Sequence, residues 1–317
     1  MFLRVLVAAA AALAFAGTAA AKDPVRIVDT QAQIYIDLAL YIAEQEGYYA
    51  AENIEPTITL GRGGAESLQV VVTGSADMVW GPGVLSVISA YAKGAPVKII
   101  ANAAYGARET FWIVKADSPI KSIKDLDGKV LAYSAAGSLT HLLAQTIAKD
   151  LGVKPKLVAT GNMSSSRTQM MSGQTDTAWS AFPAGLSMVK AGEARIIGTG
   201  NDAVSLRNLS TRVVVANSNW LAKNRDVAVR AMRAIWKGEV FAMTDPRAPA
   251  RFAEKWKLDP EDTKAAWEYN KLEDVAYAPI GELDRIIALA QEYGFIKEPL
   301  TAEQKAGLVD IVYDPKK

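Results

Sequence analysis

Residues 74–80 read GSADMVW and residues 173–179 read GQTDTAW: the same Gly-x-x-Asp-x-x-Trp frame, displaced by 99 positions. In each copy the pattern predicts a short helix ending at a glycine (Gly74, Gly173) and an aspartate at the turn into a strand (Asp77, Asp176). The strand then closes on a tryptophan (Trp80, Trp179). Glycine just past a helix end is the expected stop, because it enters the left-handed region without a Cβ penalty. A loop with a proline follows both times, Gly81-Pro82-Gly83 or Ser180-Ala181-Phe182-Pro183.

Working outward from the first copy, the spacing predicts strands over 25–28, 57–60, 78–80 and 97–101, with helices over 34–46, 66–73 and 84–93 between them. Around the second copy it predicts strands over 111–115, 130–133, through Val158, 175–179 and 195–199, and helices over 139–151, 164–172 and 184–191. Strand alternating with helix is the signature of βαβ units on a parallel sheet, here run twice. From Asn219 onward the chain is predicted mostly helical, with breaks at Pro246, Pro249 and Pro260; Trp236, Trp256 and Trp267 fall in amphipathic stretches and are assigned to packing. The fold class is therefore α/β, two lobes built alike.

The start of the chain is read as a secretory signal peptide. Arg4 gives a positive start, Val5 to Ala16 is an apolar run of about 12 residues, and Ala19-Ala20-Ala21 offers small residues for cleavage after Ala21. That run is shorter than the roughly 20 residues a bilayer span needs. The chain has no cysteine, which excludes a disulfide framework, thiolate metal sites, a cysteine nucleophile and a lipid anchor on cysteine. With 35 basic and 34 acidic side chains, charge gives no case for nucleic acid or anionic membrane as a partner. A freely diffusing periplasmic monomer is expected.

In open parallel sheets ligands bind beyond the carboxyl ends of the strands, so two similar lobes facing each other would offer two loop sets across one cleft. Three loops that enter helices are rich in glycine and serine: Gly63-Gly64-Ala65, the run from Ser134 through Gly137 and Ser138 to Leu139, and Asn162-Met163-Ser164. Helix starts carry unpaired N–H groups and partial positive charge, suited to a carboxylate or sulfonate. Any single serine here reads first as an ordinary N-cap; as a set the loops are read as facing a ligand. Gln31 and Gln33 are candidates for amide hydrogen bonds. Tyr35, Tyr105, Trp112, Trp179 and Phe182 are candidates for an apolar wall, with Trp80 and Trp112 equally fitting a sheet core. Arg62 and Arg108 suit either an anion clamp or a solvated surface.

Catalysis fares poorly on inventory. Ser134 sits between strand and helix as a nucleophile elbow would, but the only histidine, His141, lies two turns along the same helix and is assigned to exposed surface. One histidine and no cysteine exclude transition-metal sites and Ser-His-Asp chemistry. The run Gly198-Thr199-Gly200-Asn201-Asp202-Ala203 loosely fits a dinucleotide fingerprint but leads into another strand-like run, Val213-Val214-Val215, instead of a helix. No cofactor and no metal are expected.

The helix from Ala39 to Gly47 with Tyr48-Tyr49 and Glu52-Asn53-Ile54, then GGAESLQVVVTGSADMVWG (63–81), AYAKGAPVKII (90–100) and KADSPIKSIKDLDGKVLAYSAAGS (115–138), resembles the periplasmic solute-binding proteins of nitrate, sulfonate, taurine and pyrimidine-precursor ABC importers. The resemblance covers nearly all of residues 24–240. It implies a type II periplasmic-binding fold that closes on a small ligand and delivers it to a membrane permease and its ATPase. It divides the chain into a signal peptide (1–21), a first part of lobe one (22–107), lobe two (108–212), and a return crossing with the second, mostly helical part of lobe one (213–317). The ligand loops of the family fall on Gln31, Gln33 and Tyr35; Gly63, Gly64 and Ala65; Gly81, Pro82 and Gly83; Gly137, Ser138 and Leu139; Asn162 and Ser164; and Phe182 and Pro183. A pyrimidine synthase in the same family depends on a cysteine-rich motif that this chain lacks. The expected ligand is a small organic anion.

Overall fold

The computed structural model describes residues 21–272 and 275–317. The leader predicted at the start lies outside these residues, apart from Ala21.

The first sheet is assembled from β1 (Asp23–Asp29), β2 (Ile54–Leu60), β3 (Met78–Gly83) and β4 (Val97–Tyr105), joined by a 3-10 turn (Tyr35–Asp37) and helices α1 (Leu38–Gln45), α2 (Tyr48–Ala51), α3 (Gly64–Val72) and α4 (Val84–Ala92). β1 pairs in parallel with both β2 and β3, as right-handed βαβ crossovers require. The chain then leaves for a second half with β5 (Thr110–Lys115), β6 (Val130–Tyr133), β7 (Lys156–Ala159), β8 (Ala178–Ala181) and β9 (Ala194–Thr199), arranged as a sheet of order β8-β5-β9 and a parallel pair β6-β7, with α5 (Leu139–Leu151), α6 (Met163–Met171) and α7 (Leu186–Lys190). It returns as β10 (Ser210–Asn217), which lies antiparallel between β3 and β4 and completes the order β2-β1-β3-β10-β4. β5 is the antiparallel member of the second sheet, between β8 and β9. The five-stranded and three-stranded sheets therefore each hold one strand running against the others, β10 and β5, and each of these is the first strand after a crossing between the halves.

The strands are central because their composition allows nothing else. β10 reads STRVVVAN and is buried along its whole length; a β-branched run accessible from neither face suits an inner strand. Behind the first sheet, α8 (Ser218–Leu221) leads into α9 (Arg225–Thr244), whose buried face includes Ala231, Ala234, Ile235 and Gly238. At Gly238 an added Cβ would stand 2.2 Å from the carbonyl oxygen of Ala39, which is how closely α1 and α9 approach. α10 (Ala248–Trp256), α11 (Pro260–Tyr269), α12 (Leu283–Glu292) and α13 (Ala302–Leu308) follow. Pro249 and Pro260 sit in first turns, where the missing N–H costs nothing; they start helices instead of merely interrupting one.

The repeated heptapeptide is a structural fastener. Gly74 and Gly173 have φ of +76° and +79°. The Asp77 carboxylate accepts the backbone N–H of Arg26 in the middle of β1 (2.8 Å), and Asp176 accepts that of Val130 at the start of β6 (2.7 Å). In both halves, then, the aspartate ties its strand to the neighbour that precedes it. In the second half side chains replace part of the ladder itself: Thr177 Oγ1 accepts from the N–H of Ala132 (2.9 Å) and donates to the carbonyl of Val130 (3.0 Å). That is why the predicted strand over 175–179 begins only at Ala178. The predicted helix over 34–46 is likewise divided into the 3-10 turn and α1.

Candidate functional site

The ends of β1, β3, β6 and β8 and the starts of α3, α4 and α5 converge between the halves. Here Thr30, Gln31, Ile34, Gly64, Gly81 and Gly83 from one side, and Ser134, Ser138, Leu139, Thr140, Trp179 and Ala181 from the other, enclose a cavity of about 50 Å³. That is room for about three to five water-sized groups. The halves touch around it. Ile34 bridges to Pro183, and the Tyr35 N–H donates to the carbonyl of Phe182 (3.4 Å). At Gly83 an added Cβ would stand 2.7 Å from the backbone nitrogen of Leu139. The two helix starts are pressed together as in a closed clamp.

The walls differ in chemistry. α3 and α4 begin at Gly63 and Gly83 with no side-chain cap, so their first N–H groups are available to something else. On the opposite side Thr140 Oγ1 is shared among Ser134 Oγ (2.8 Å), Ser138 Oγ (3.0 Å) and the Ser134 N–H (2.8 Å), while Ser138 caps α5. The site thus offers amide and hydroxyl hydrogen bonds on facing surfaces.

The floor is formed by Glu109, on the outward crossing, and Arg212, near the start of β10 just after the return crossing; both also line the cavity. Their side chains are 7 % and 4 % exposed. Arg212 Nη2 faces both oxygens of Asp37 at 3.2 Å, its Nε donates to the Gly81 carbonyl at 3.1 Å, and Nη1 lies 3.8 Å from Glu109 Oε1. Nη1 is buried with no hydrogen-bond partner. Trp80 Nε1 donates to Asp37 at 3.0 Å, and Tyr41 donates to the adjacent buried Asp29 at 2.9 Å. Burial works against the Arg212 charge, but Asp37 and Glu109 outweigh it and keep the guanidinium protonated. Burial raises the Glu109 carboxyl above its usual range, with Arg212 pulling the other way, and it raises Asp29 and Asp37 as well. The charged side chains that line this cavity belong to residues that the sequence reading did not single out. The available signal was a lone arginine inside an otherwise apolar strand, since Arg is almost never fully buried unless paired.

Of the residues singled out in the sequence, Gln31, Gly64, Gly81, Gly83, Ser134, Ser138 and Leu139 line the cavity. Gly63, Ala65, Pro82 and Gly137 adjoin them in sequence, in the same loops, and Pro183 bridges to Ile34 beside the cavity. Gln33 holds a left-handed turn at φ +67°. The Tyr35 ring is buried in the core, where its hydroxyl donates to the Ala242 carbonyl (2.9 Å). Asn162 caps α6 through the Ser165 N–H, and Ser164 is exposed. Phe182 packs on Phe111 and Tyr269 at centroid distances of 4.8 and 5.2 Å. Trp179 lines the cavity, whereas Trp80 and Trp112 are core residues. Arg62 is exposed. Arg108 stacks on the Tyr269 ring and donates to its carbonyl, beside a larger cavity of about 440 Å³ that the crossings share with Glu239 and Met243 of α9.

His141 departs from its assignment to exposed surface. It is half-buried, stacked on Tyr133 (4.3 Å) with Phe295 edge-on (5.7 Å), and its Nδ1 accepts the Gly137 N–H (3.3 Å). Phe295 comes from the C-terminal part and covers the helix face that α5 alone would leave bare. No group of three or more His, Asp or Glu side chains among the described residues is placed to hold a metal ion, and no helix among them is long and apolar enough to cross a membrane.

Two α/β halves, mirrored sheets with one reversed strand each, and a cavity at the strand ends between them define the periplasmic-binding-protein fold. The chain belongs to the NMT1/THI5 like family, whose profile matches residues 37–248. No curated protein matches it. Solved structures do. One from Bordetella bronchiseptica RB50 is 24 % identical with a TM-score of 0.69 over 91 % of this chain and 93 % of that one. The zinc-bound ligand-binding component of an ABC-type import system from Staphylococcus aureus is 14 % identical with a TM-score of 0.74, over 92 % and 97 % of the two chains. The alkanesulfonate-binding protein SsuA from Xanthomonas axonopodis pv. citri, bound to MOPS, is 18 % identical with a TM-score of 0.71, over 87 % and 92 %. At these identities the likeness concerns the fold.

Proposed function

We propose that the protein is the periplasmic substrate-binding component of an ABC importer, capturing a small organic anion between its two lobes and delivering it to a membrane permease and its ATPase. The lobes are those drawn in the sequence, 22–107 with 213–317 and 108–212, and the chain acts as a monomer outside the inner membrane with no catalytic step. The fold shared with import components such as the Staphylococcus aureus protein supports the role.

One observation carries the ligand class. Arg212 lines the cavity, and its buried Nη1 has no hydrogen-bond partner. A buried unsatisfied donor costs about 1–3 kcal/mol, which an acceptor on the ligand relieves. The uncapped starts of α3 and α4 and the Ser134–Thr140–Ser138 hydroxyls supply further contacts. The narrow cavity favours an anion of few heavy atoms, such as a short sulfonate or carboxylate. Capture is a population shift: ligand touching both halves binds the closed form better and accumulates it.

A thermal-shift panel of methanesulfonate, ethanesulfonate, acetate and propionate against methylamine, ethylamine and glucose tests this. An anion at 100 times its dissociation constant adds about 2.7 kcal/mol, hence several degrees at about 2–4 °C per kcal/mol. Shifts confined to the amines or the sugar overturn the anion assignment.

A further inference from the structure

Resting on that reading, the floor of the cavity leads to a consequence for the thermodynamics of capture. We propose that the anion enters together with one proton, that the proton is taken up by Glu109, and that Glu109 and Arg212 act as a paired reader of the ligand's charged group.

The argument is one of charge in a closed space. Among the described residues Arg212 is the one arginine lining the cavity, and Asp37, which does not line it, already pairs with Arg212 at 3.2 Å. Its free corner, Nη1, has Glu109 Oε1 at 3.8 Å, too far for a hydrogen bond but well within Coulomb range. An anion accepting from Nη1 must therefore sit beside the Glu109 carboxyl. Two carboxylate-like charges a few ångströms apart, both cut off from solvent, do not both stay ionised; one holds a proton. A sulfonate cannot take it, so Glu109 must. Once protonated, Glu109 changes from a repulsive neighbour into a hydroxyl donor aimed at the same anion.

The surrounding groups leave Glu109 as the acceptor. From β1, Asp29 is tied to the Tyr41 hydroxyl; from the 3-10 turn, Asp37 holds Arg212 and accepts from Trp80. From the outward crossing itself, Arg108 attracts the Glu109 charge. From α9, Glu239 lines the neighbouring hinge cavity together with Glu109 but does not line the ligand cavity. Among these carboxyls only Glu109 borders the ligand, and its raised affinity for protons through burial agrees with the role.

Proton and anion balance simply. One anion and one solvent proton enter, one carboxylate becomes a carboxylic acid, and the bound site gains no net charge. A ligand that binds as a neutral carboxylic acid brings the same proton itself.

The test uses the mature chain and ethanesulfonate, or whichever panel acid most raises the melting temperature. Calorimetric titration at pH 7, 8 and 9, each in two buffers of different ionisation enthalpy, counts protons taken up per anion; His141, held below its usual range by burial, is neutral throughout. The expected result is uptake rising toward one proton, with affinity falling toward about tenfold per pH unit at the alkaline end. Glu109→Gln, a neutral mimic of the protonated acid, abolishes the uptake and flattens the pH dependence. No uptake across the range, with constant affinity, overturns the proposal while leaving the anion reading intact. Uptake that persists in Glu109→Gln overturns the assignment to Glu109. Absence of binding by every panel anion at every pH tells against the anion reading itself.

Discussion

Replacing Gly83 with alanine should hold the clamp open without harming the fold. Gly83 has φ −63° and ψ 131°, a backbone that any residue adopts. Its substitution therefore imposes no local strain, and the reduced entropy of the unfolded chain (about 0.4–1 kcal/mol) offsets the poorer helix cap that alanine makes. The added methyl, however, would stand 2.7 Å from the Leu139 nitrogen, 3.1 Å from the Ser138 carbonyl carbon and 3.4 Å from the Gly137 oxygen. All three are main-chain atoms of the opposite half, at the start of a helix, with no side chain to swing aside. Relief must come from the halves moving apart, so the overpacking cost of about 1–3 kcal/mol falls on the closed form alone. A closed state penalised by that amount binds ligand about 5–150-fold more weakly. Titration calorimetry with the tightest-binding panel acid measures the loss. Small-angle scattering of the ligand-free variant should show a larger radius of gyration, and chemical denaturation should stay within about 1 kcal/mol of wild type. A folded Gly83→Ala protein with wild-type affinity and wild-type dimensions would refute the closed-clamp reasoning.

Other outcomes follow from the same contacts. Thr177→Val removes the hydroxyl that joins Ala132 and Val130 to the start of β8; with a buried N–H left unpaired, denaturant unfolding should lose about 1–3 kcal/mol. Phe295→Ala strips the ring that packs His141 and Gly137 from across the halves, and scattering should report a more extended ligand-free population. Glu239 is pushed up to about 8 by burial, with Asp37 adding repulsion. The fold therefore binds this proton more tightly than the unfolded chain, and stability contributed by the group falls as pH rises from about 4.5 to about 8, by about 1.4 kcal/mol per unit. Glu239→Gln should remove that part of the slope, so thermal melts of variant and wild type should differ most at pH 8; parallel curves between pH 5 and 8 would contradict it.

The strand and helix plan was legible because it is written in local spacing. Gly74 and Gly173 end helices by their own backbone preference, and Asp77 and Asp176 stand at fixed offsets from them. The loops at Gly64, Gly83, Ser134 and Ser138 were legible for the same reason, since helix starts have a short-range grammar. What decides charge at the floor is not local. Glu109 and Arg212 are about 100 residues apart in the chain, and each reads alone as a charge near a strand end. Only the pairing of β10 with β3 and β4 brings Arg212 under the loops of β1 and β3. His141 shows the same limit from the other side: the wheel of α5 placed it away from the apolar face correctly, but Phe295 arrives from a segment over 150 residues later. Tyr35 was a candidate for the ligand wall as an aromatic at the start of the predicted helix 34–46, but that start is a 3-10 turn and the ring lies in the core.

Glu109 sits on the segment leading out to the second half, and Arg212 stands two residues into β10, where the chain has just come back. The two residues at the bottom of the pocket therefore adjoin the two crossings, the axle about which the proposed jaws would turn. Any torsion of that axle carries the ionic pair with it, so grip and posture share one set of atoms. On the importer reading proposed above, a permease that pries the jaws apart would not need to reach the cargo to release it, because bending the axle alone would pull the guanidinium and the carboxyl out of register with whatever they hold.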